Sequence, residues 1–184
     1  MIYIFEGMDN CLKDTLIQEL RTTLSGKTHV LKYSGPPSSV NAEAYQREHF
    51  KDMFDLLNLV MDDSLRSLIL NRAHLGEAVY SPLYRGYSGD WIFDLEKEYL
   101  KRRKNQENIQ LILLYDSNNE ALISREDGKS FSSNNNTMLS KERDLFIRAF
   151  SKSQITRKLQ VDLSDYQKNE QISTEQIMAE LQKI

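Results

Sequence analysis

The sequence contains one cysteine, Cys11, in 184 residues. A single cysteine cannot form a disulfide within the chain, so a reducing compartment is the expected location. No apolar run is long enough to cross a bilayer, and no basic N-terminal segment leads into an apolar stretch with a cleavage site. These absences favour a cytoplasmic protein without a membrane partner, working in the host cytoplasm if its source is a virus.

The chain also lacks a strong excess of charge of either sign. Lysine and arginine number 24 against 27 aspartates and glutamates, which gives a formal net charge of −3. This balance argues against a nucleic-acid-binding surface spread over the whole protein, although a local basic pocket remains compatible with it. With 40% hydrophobic and 28% charged residues, the composition is that of a soluble globular protein.

Neither an internal repeat nor a linker divides the chain, so we expect one domain over residues 1–184. Strands are predicted at Met1–Phe5, Thr28–Tyr33, Ser67–Leu70, Ile109–Tyr115 and Lys158–Leu163. Helices are predicted from Thr15 to near Gly26, over Ala42–Met61 as one or two helices, and at Trp91–Lys104, Asn118–Ser124, Leu139–Phe150 and Thr174–Ile184. This alternation predicts an α/β fold with a parallel sheet flanked by helices on both faces.

Three segments are predicted to be loops. Ser34–Ser39 and Pro82–Gly89 contain glycine and proline, which interrupt helices and strands. Glu126–Asn136 is polar and rich in asparagine and serine. We expect this last segment to form a mobile flap between two regular elements.

The first turn of the chain carries an incomplete phosphate-binding pattern. In a P-loop, G-x-x-x-x-G-K-[ST], unpaired backbone N–H groups at a helix start hold an anion. Here Gly7 and Lys13 have the expected separation, but Leu12 replaces the second glycine and Asp14 replaces the serine or threonine. Thr15 follows and could supply a hydroxyl. The alternative is an ordinary strand-to-helix turn in which Lys13 is simply solvated.

The two departures have physical consequences. The second glycine often has a backbone conformation that is costly for a side chain, so the loop must bend differently at Leu12 or carry strain. The pattern's hydroxyl normally ligates Mg²⁺, a role that the Asp14 carboxylate can also take. Its negative charge would, however, oppose nearby phosphates. Asp14 and Thr15 are therefore both candidate metal ligands.

Several segments, in order along the chain, resemble thymidylate kinases. Ile4–Asp9 (IFEGMD) followed by Lys13 resembles that family's F-E-G-x-D opening. Asn71-Arg72, at the end of an apolar segment, resembles its D-R-x motif with asparagine in place of aspartate. Leu75–Tyr87 resembles the matching segment of phage thymidylate kinase-like proteins. Ser124–Gly128 lies where the family has an arginine-bearing lid, which we place at about residues 124–137.

The resemblance implies a three-layer P-loop nucleoside-monophosphate-kinase fold with about five strands, ATP as donor, Mg²⁺ as cofactor, and dTMP or a related, possibly modified, pyrimidine deoxynucleotide as acceptor. The implied catalytic residues are Lys13 and Arg72, which bind donor and acceptor phosphates, and Arg125, which contacts the transferring phosphoryl group. The donor phosphates would lie on Gly7, Asn10, Cys11, Leu12, Lys13, Asp14 and Thr15. The acceptor nucleotide would contact Asp9 (through its sugar hydroxyl), Phe50, Arg72, Glu77, Tyr80 and Arg85.

Alternative interpretations remain at several of these positions. Asn71 could cap the turn after its strand, and Glu77 could be a solvated or salt-bridged carboxylate. Arg85 lies between two tyrosines and could either approach the acceptor nucleotide or have a purely structural stacking role. Phe54 is expected in the core, and His74 is expected to be structural rather than a general base.

The leading hypothesis is a deoxynucleoside monophosphate kinase. One alternative is a kinase for a nucleoside or for the 5′ end of a polynucleotide. The other is a non-catalytic nucleotide-binding protein whose P-loop has decayed, which Leu12, Asp14 and Asn71 would favour. The family likeness further implies a possible homodimer, with Ala42–Met61 as a candidate interface.

Overall fold

The computed structural model describes residues 1–60, 65–101, 106–126, 128, 130, 132, 135–166 and 170–183. Five parallel strands form one sheet. They are β1 (Ile2–Gly7), β2 (Lys27–Lys32), β3 (Arg66–Asn71), β4 (Ile109–Tyr115) and β5 (Arg157–Asp162). Their order across the sheet is β2-β3-β1-β4-β5, so β1 lies in the centre.

Strands β1 and β4 are buried almost throughout. In β4, residues 109–114 are all buried, and β1 exposes only Tyr3 in part. Such continuous burial is typical of parallel sheets in α/β proteins. Ile2 of β1 pairs with Leu68 on one side and Ile109 on the other, which aligns the carboxyl ends of β1, β3 and β4.

Seven α-helices surround the sheet in the described part of the chain. They are α1 (Lys13–Thr23), α2 (Ala42–Val60), α3 (Leu75–Tyr80), α4 (Trp91–Lys101), α5 (Asn119–Ser124), α6 (Asn136–Lys152) and α7 (Glu170–Leu181). Helix α1 packs on α7, whereas α2 packs on α4 and α3 packs on α6. No described helix combines the length and the hydropathy that a membrane span requires.

Polar side chains begin two of these helices. The Asn118 side chain accepts hydrogen bonds from the backbone N–H groups of Glu120 and Ala121, and the Asn135 side chain accepts one from that of Met138. Asparagine at this position satisfies N–H groups that have no partner within the helix. The local sequence therefore fixes where α5 and α6 begin.

The predicted three-layer α/β architecture is confirmed, and the five predicted strands agree with the structure to within two residues at each end. The predicted loop at Pro82–Gly89 is wrong in its first half, because Ser81–Arg85 forms a π-helical turn that continues α3. Helix α3 itself was not predicted. Met61, Arg102–Lys104, Ile184 and positions 127, 129, 131, 133 and 134 of the predicted flap lie outside the described residues.

Gly7 is required by the contact between β1 and β4. A Cβ atom at this position would lie 1.8 Å from the backbone oxygen of Leu114, and φ is +129°. Gly86 is a matched control, because its φ is +76° but no heavy atom lies within 4 Å of a Cβ built there.

We expect Gly7→Ala to lower the free energy of unfolding by about 3 kcal/mol, because a backbone atom must move to accept the methyl group. Gly86→Ala should cost about 1 kcal/mol, from backbone strain alone. Thermal denaturation measures both, and the Gly7 variant should melt about 6–12 °C below the native protein. Equal melting temperatures for the two variants would contradict this account.

Candidate functional site

The phosphate loop connects β1 to α1 and contains two left-handed residues that are not glycine. Asn10 has φ of 60° and Leu12 has φ of 53°. Leu12, at the position of the pattern's second glycine, therefore keeps the backbone conformation that glycine favours, at a cost of about 1 kcal/mol. Its side chain packs against the core, which offsets part of this strain. The sequence left two outcomes open at Leu12, a different bend or backbone strain, and the left-handed φ agrees with the second.

Lys13 is folded into the loop rather than solvated. Its side chain is only 6% exposed, and Nζ donates hydrogen bonds to the backbone oxygens of Gly7, at 3.0 Å, and Met8. Burial lowers the pKa of the Lys13 ammonium. The alternative of a simply solvated Lys13 is therefore wrong, and its ammonium group lies at the base of the loop.

Arg72 joins the phosphate loop to the end of β3. Its guanidinium Nη2 forms an ion pair with Asp9 Oδ1, and its backbone N–H donates to the Phe5 oxygen at 2.8 Å. The residue has φ of 64°, a left-handed conformation that turns its side chain away from the strand direction. The buried Nε atom has no hydrogen-bond acceptor in the described structure.

A second contact lies beside the first. The Asn71 side chain, at the end of β3, donates from Nδ2 to Asp14 Oδ1 at 2.5 Å. The described contact of the Asn71 side chain is therefore with Asp14, and the alternative of a cap on the following turn finds no support in it. Asp14 is exposed and Asn71 is buried, so a buried amide holds one oxygen of an exposed carboxylate.

Arg125 approaches the loop from the end of α5. Its Nη2 pairs with Asp116 Oδ2, and its Nε donates to the Ala121 backbone oxygen at 3.0 Å. Asp116 follows β4 and is 1% exposed, so it fixes the arginine at the edge of the sheet. Asn10 Nδ2 donates to Glu126 Oε2, at 3.0 Å, and to Ser130 Oγ, at 3.2 Å, which joins the phosphate loop to the predicted lid.

These residues line one open cleft of about 420 Å³. Its walls are Asp9, Asn10, Cys11, Leu12, Lys13, Asp14, Thr15, Lys32, Asn71, Arg72, Arg125 and Ser130. Four cationic residues, Lys13, Lys32, Arg72 and Arg125, thus line the same space as Asp14 and Thr15. The cleft suits a polyanion, because arginine and lysine supply hydrogen-bond donors with fixed positive charge.

A second, much narrower pocket, a slot of about 40 Å³, lies between α2, α3 and the loop after β2. It is lined by Tyr33, Ser34, Gly35, Gln46, Phe50, Arg72, Ala73, Gly76, Glu77, Tyr80 and Arg85. Five of the six predicted acceptor residues lie here, and the sixth, Asp9, lies in the cleft beside Arg72. Among the described residues, Arg72 is the one side chain that lines both spaces.

Glu77 and Arg85 form a buried pair within this pocket. Arg85 Nη1 lies 2.6 Å from Glu77 Oε2, and the Tyr87 hydroxyl donates to Glu77 Oε1 at 2.6 Å. Glu77 is 1% exposed. Of the two alternatives for Glu77, the salt-bridged carboxylate is therefore the one that the structure has. Glu77 and Arg85 both form part of the pocket wall.

Four residues outside the sequence prediction support the site. Glu6 is 1% exposed and accepts from the backbone N–H groups of Ala73, at 3.1 Å, and Leu75, at 2.7 Å. Glu142 of α6 accepts from the Tyr80 hydroxyl at 3.0 Å. Burial raises the pKa of both carboxyl groups. The other two are Asp116 and Gln46. Glu6 and Gln46 could have been found from the sequence, because each is a polar residue beside or within an apolar pattern.

His74 and Phe54 both lie in the core. The core position was predicted for Phe54, whereas His74 was expected to be a structural or loop histidine. The His74 ring is fully buried and contacts Glu96 Oε1 at 2.8 Å. Phe54 is 3% exposed and packs 5.4 Å from the His74 ring and 4.9 Å from the Tyr99 ring, between centroids. Neither residue lines the cleft or the pocket.

Cys11 lines the cleft but is 1% exposed, and burial raises its thiol pKa to about 12. Because the thiolate is the nucleophile, we expect iodoacetamide to alkylate native Cys11 about a thousandfold more slowly at pH 8 than the unfolded chain. Mass spectrometry of timed reactions measures both rates, with the guanidinium-denatured protein as the control. Rapid alkylation of the native protein would contradict the burial of this thiol.

The sequence matches no protein-family model and no curated protein. Its structure, however, is similar to several solved structures. It superimposes on the YorR protein of Bacillus subtilis, in complex with phosphorylated GDP, with a TM-score of 0.60 and 16% identity, covering 100% of this chain and 98% of that one.

Two further structures are similar. Polyphosphate kinase 2 from Arthrobacter aurescens TC1 has a TM-score of 0.60 and 13% identity over 98% of this chain and 63% of the other. Deoxyadenosine kinase from M. mycoides, with dCMP and dCDP bound, has a TM-score of 0.57 and 13% identity over the whole of both chains. At these identities the likeness concerns the fold, which this chain shares with the three structures.

Proposed function

We propose that the protein is a deoxynucleoside monophosphate kinase that transfers the γ-phosphate of ATP to dTMP or a related pyrimidine deoxynucleotide. One observation carries this proposal: Arg72 lines both the polar cleft at the phosphate loop and the narrower aromatic pocket. A donor polyphosphate in the cleft and an acceptor nucleotide in the pocket would meet at this guanidinium. Its buried Nε, which has no acceptor in the described structure, suits an additional anionic ligand.

The reaction then needs positioning and charge more than a covalent intermediate. An oxygen of the acceptor phosphate attacks the γ-phosphorus, the bond to the β–γ bridging oxygen breaks, and ADP leaves with the electron pair. Lys13 and the loop N–H groups hold the donor phosphates, Arg72 holds the acceptor phosphate, and Arg125 neutralises the oxygens of the transferring group. Asp9 orients Arg72 through their ion pair.

The residues around Asp14 fit Mg²⁺. The ion prefers oxygen ligands and is usually held by one or two carboxylates together with substrate phosphates. The Asp14 carboxylate and the Thr15 hydroxyl both line the cleft. When bound, the ion would offset the negative charge of the phosphates. Asn71 orients Asp14 by its hydrogen bond and is itself uncharged. Asp14 would therefore be the single carboxylate at this contact between the loop and β3.

The assay for this proposal is ADP release from ATP and Mg²⁺ with each common deoxynucleoside monophosphate. We expect turnover with a pyrimidine monophosphate, and a loss of about 10²–10³ in kcat/KM in Lys13→Ala and in Arg72→Ala. Lys152→Ala is the matched control, because it removes an exposed ion pair with Asp90, and it should retain full activity.

Two outcomes would overturn this proposal. Turnover with deoxynucleosides but not with their monophosphates would identify a nucleoside kinase, a possibility that the fold similarity to deoxyadenosine kinase keeps open. Nucleotide binding without turnover, in a protein that melts cooperatively, would identify a non-catalytic binding protein.

The Asp14–Asn71 contact generates a separate prediction about the metal. Asp14→Asn should weaken Mg²⁺ binding in the presence of a non-hydrolysable ATP analogue by about 10–100-fold, because the only carboxylate at this contact is removed. The double variant Asp14→Asn/Asn71→Asp returns one carboxylate to the same contact and should recover most of that affinity. Mn²⁺ titration followed by electron paramagnetic resonance measures binding without turnover.

Asn71→Asp alone is the control in this set. It places two carboxylates at hydrogen-bonding distance, so we expect a lower melting temperature in the absence of metal. If Asp14→Asn binds Mn²⁺ as tightly as the native protein, Asp14 is not a ligand.

A further inference from the structure

Gln46 is a buried polar side chain on the apolar face of α2. The residue is 1% exposed, and it lies one helical turn before Phe50 on the face that also carries Met53, Phe54 and Leu57. An amphipathic helix normally buries only apolar residues on such a face. Gln46 therefore departs from the pattern of its own helix.

The carboxamide of Gln46 is also incompletely paired. Its Oε1 atom is buried, and in the described structure no group donates a hydrogen bond to it. In the unfolded chain, water would satisfy this oxygen, so leaving it unpaired in the folded protein is unfavourable. Gln46 lines the aromatic pocket. A ligand in that pocket that carries a donor would supply the missing hydrogen bond.

The other charged side chains of the pocket already have partners. Arg85 and Glu77 bind each other at 2.6 Å, and Tyr87 occupies the second oxygen of Glu77. Arg72 lies where the pocket meets the cleft, and it faces the phosphates in the proposed function. The pocket therefore has a cationic end at Arg72, where the proposed phosphate would bind, and an unpaired amide oxygen at Gln46.

Flat apolar surface accompanies this amide. The Phe50 ring is 3% exposed, and the Tyr33 ring lies 6.2 Å from it, between centroids, at an interplanar angle of 22°. Both rings line the pocket with Gln46. Aromatic faces favour other planar rings, which they meet in offset stacks. The pocket thus combines a wall for a planar ring with a group that can form hydrogen bonds to the edge of that ring.

We propose that Gln46 recognises the base of the acceptor nucleotide, and that this base has a ring N–H next to an exocyclic carbonyl, as thymine and uracil have. A carboxamide presents an acceptor and a donor side by side. Oε1 accepts from the ring N3–H, and Nε2 donates to the neighbouring carbonyl, while Phe50 packs against the ring face. This assignment rests on the proposed function, and it makes Gln46 a specificity-determining residue.

The chain offers a matched control. Gln110 of β4 is 3% exposed and likewise has a buried Oε1 without a donor, while its Nε2 donates to the Leu181 backbone oxygen at 3.3 Å. It lines neither the pocket nor the cleft. Gln46→Leu and Gln110→Leu therefore remove the same group from two buried positions, only one of which faces the pocket.

The experiment measures the binding of dTMP and of N3-methyl-dTMP by calorimetry, together with steady-state kinetics. The native protein should bind dTMP at least tenfold more tightly than the methylated analogue, because the methyl group replaces the N3–H. Gln46→Leu should weaken dTMP binding about tenfold to a hundredfold and abolish that preference, with kcat and the KM for ATP within about twofold of native. Gln110→Leu should retain both affinity and preference.

Gln46→Glu tests the donor separately. It keeps the acceptor oxygen and the shape of the side chain but removes the Nε2 donor, so binding of dTMP should weaken while the methylated analogue remains disfavoured. Melting temperatures within a few degrees of native establish that each variant is folded.

The outcomes separate this inference from the proposed function. If Gln46→Leu binds dTMP as tightly as the native protein and keeps the preference over N3-methyl-dTMP, Gln46 does not recognise the base. The same conclusion follows if Gln110→Leu shows an equal loss, since the effect would then be one of stability. If the native protein binds no deoxynucleoside monophosphate at all, the proposed function fails before Gln46 is tested.

Discussion

The ion pair between Asp9 and Arg72 is the contact on which both candidate binding spaces depend. It joins the phosphate loop after β1 to the residue that follows β3, and the neighbouring Asn71–Asp14 hydrogen bond joins the same two segments. The adjacent parallel strands end at the same edge of the sheet, so two loops distant in sequence meet there. Arg72 has a left-handed backbone conformation, and its side chain lies at the border between the cleft and the pocket.

Buried carboxylates hold the elements around this border. Glu6 binds the backbone after β3, Glu77 binds Arg85 and Tyr87, and Glu142 binds Tyr80. Each is nearly inaccessible to solvent, so each needs its partners to offset the loss of hydration. Such networks restrict the side chains to one arrangement. Polar contacts among α3, α6 and the π-helical turn therefore hold the pocket walls in place.

The sequence predicted the regular parts of the fold because their patterns are local. Ile109–Tyr115 is continuously apolar, and Ala42–Val60 has a helical apolar stripe, so their type follows from periodicity alone. Helix α3 and its π-helical continuation were missed, because α3 has only six residues and the continuation contains a proline. Their conformation depends on contacts with α6, which no local pattern contains.

What the sequence by itself determined is the order of elements, the phosphate loop and the identity of Lys13, Arg72 and Arg125 as candidate site residues. The order of elements, the phosphate loop and Lys13 follow from patterns and spacing along the chain, since a turn between a strand and a helix exposes N–H groups wherever it occurs. Arg72 and Arg125 became candidates through the resemblance to thymidylate kinases. Only the tertiary structure decided that Arg72 borders both spaces, that Asn71 holds Asp14, and that Gln46 faces the pocket without a partner. The physical reason is that burial and hydrogen-bond pairing are properties of residues brought together from distant segments, and a linear pattern does not contain them.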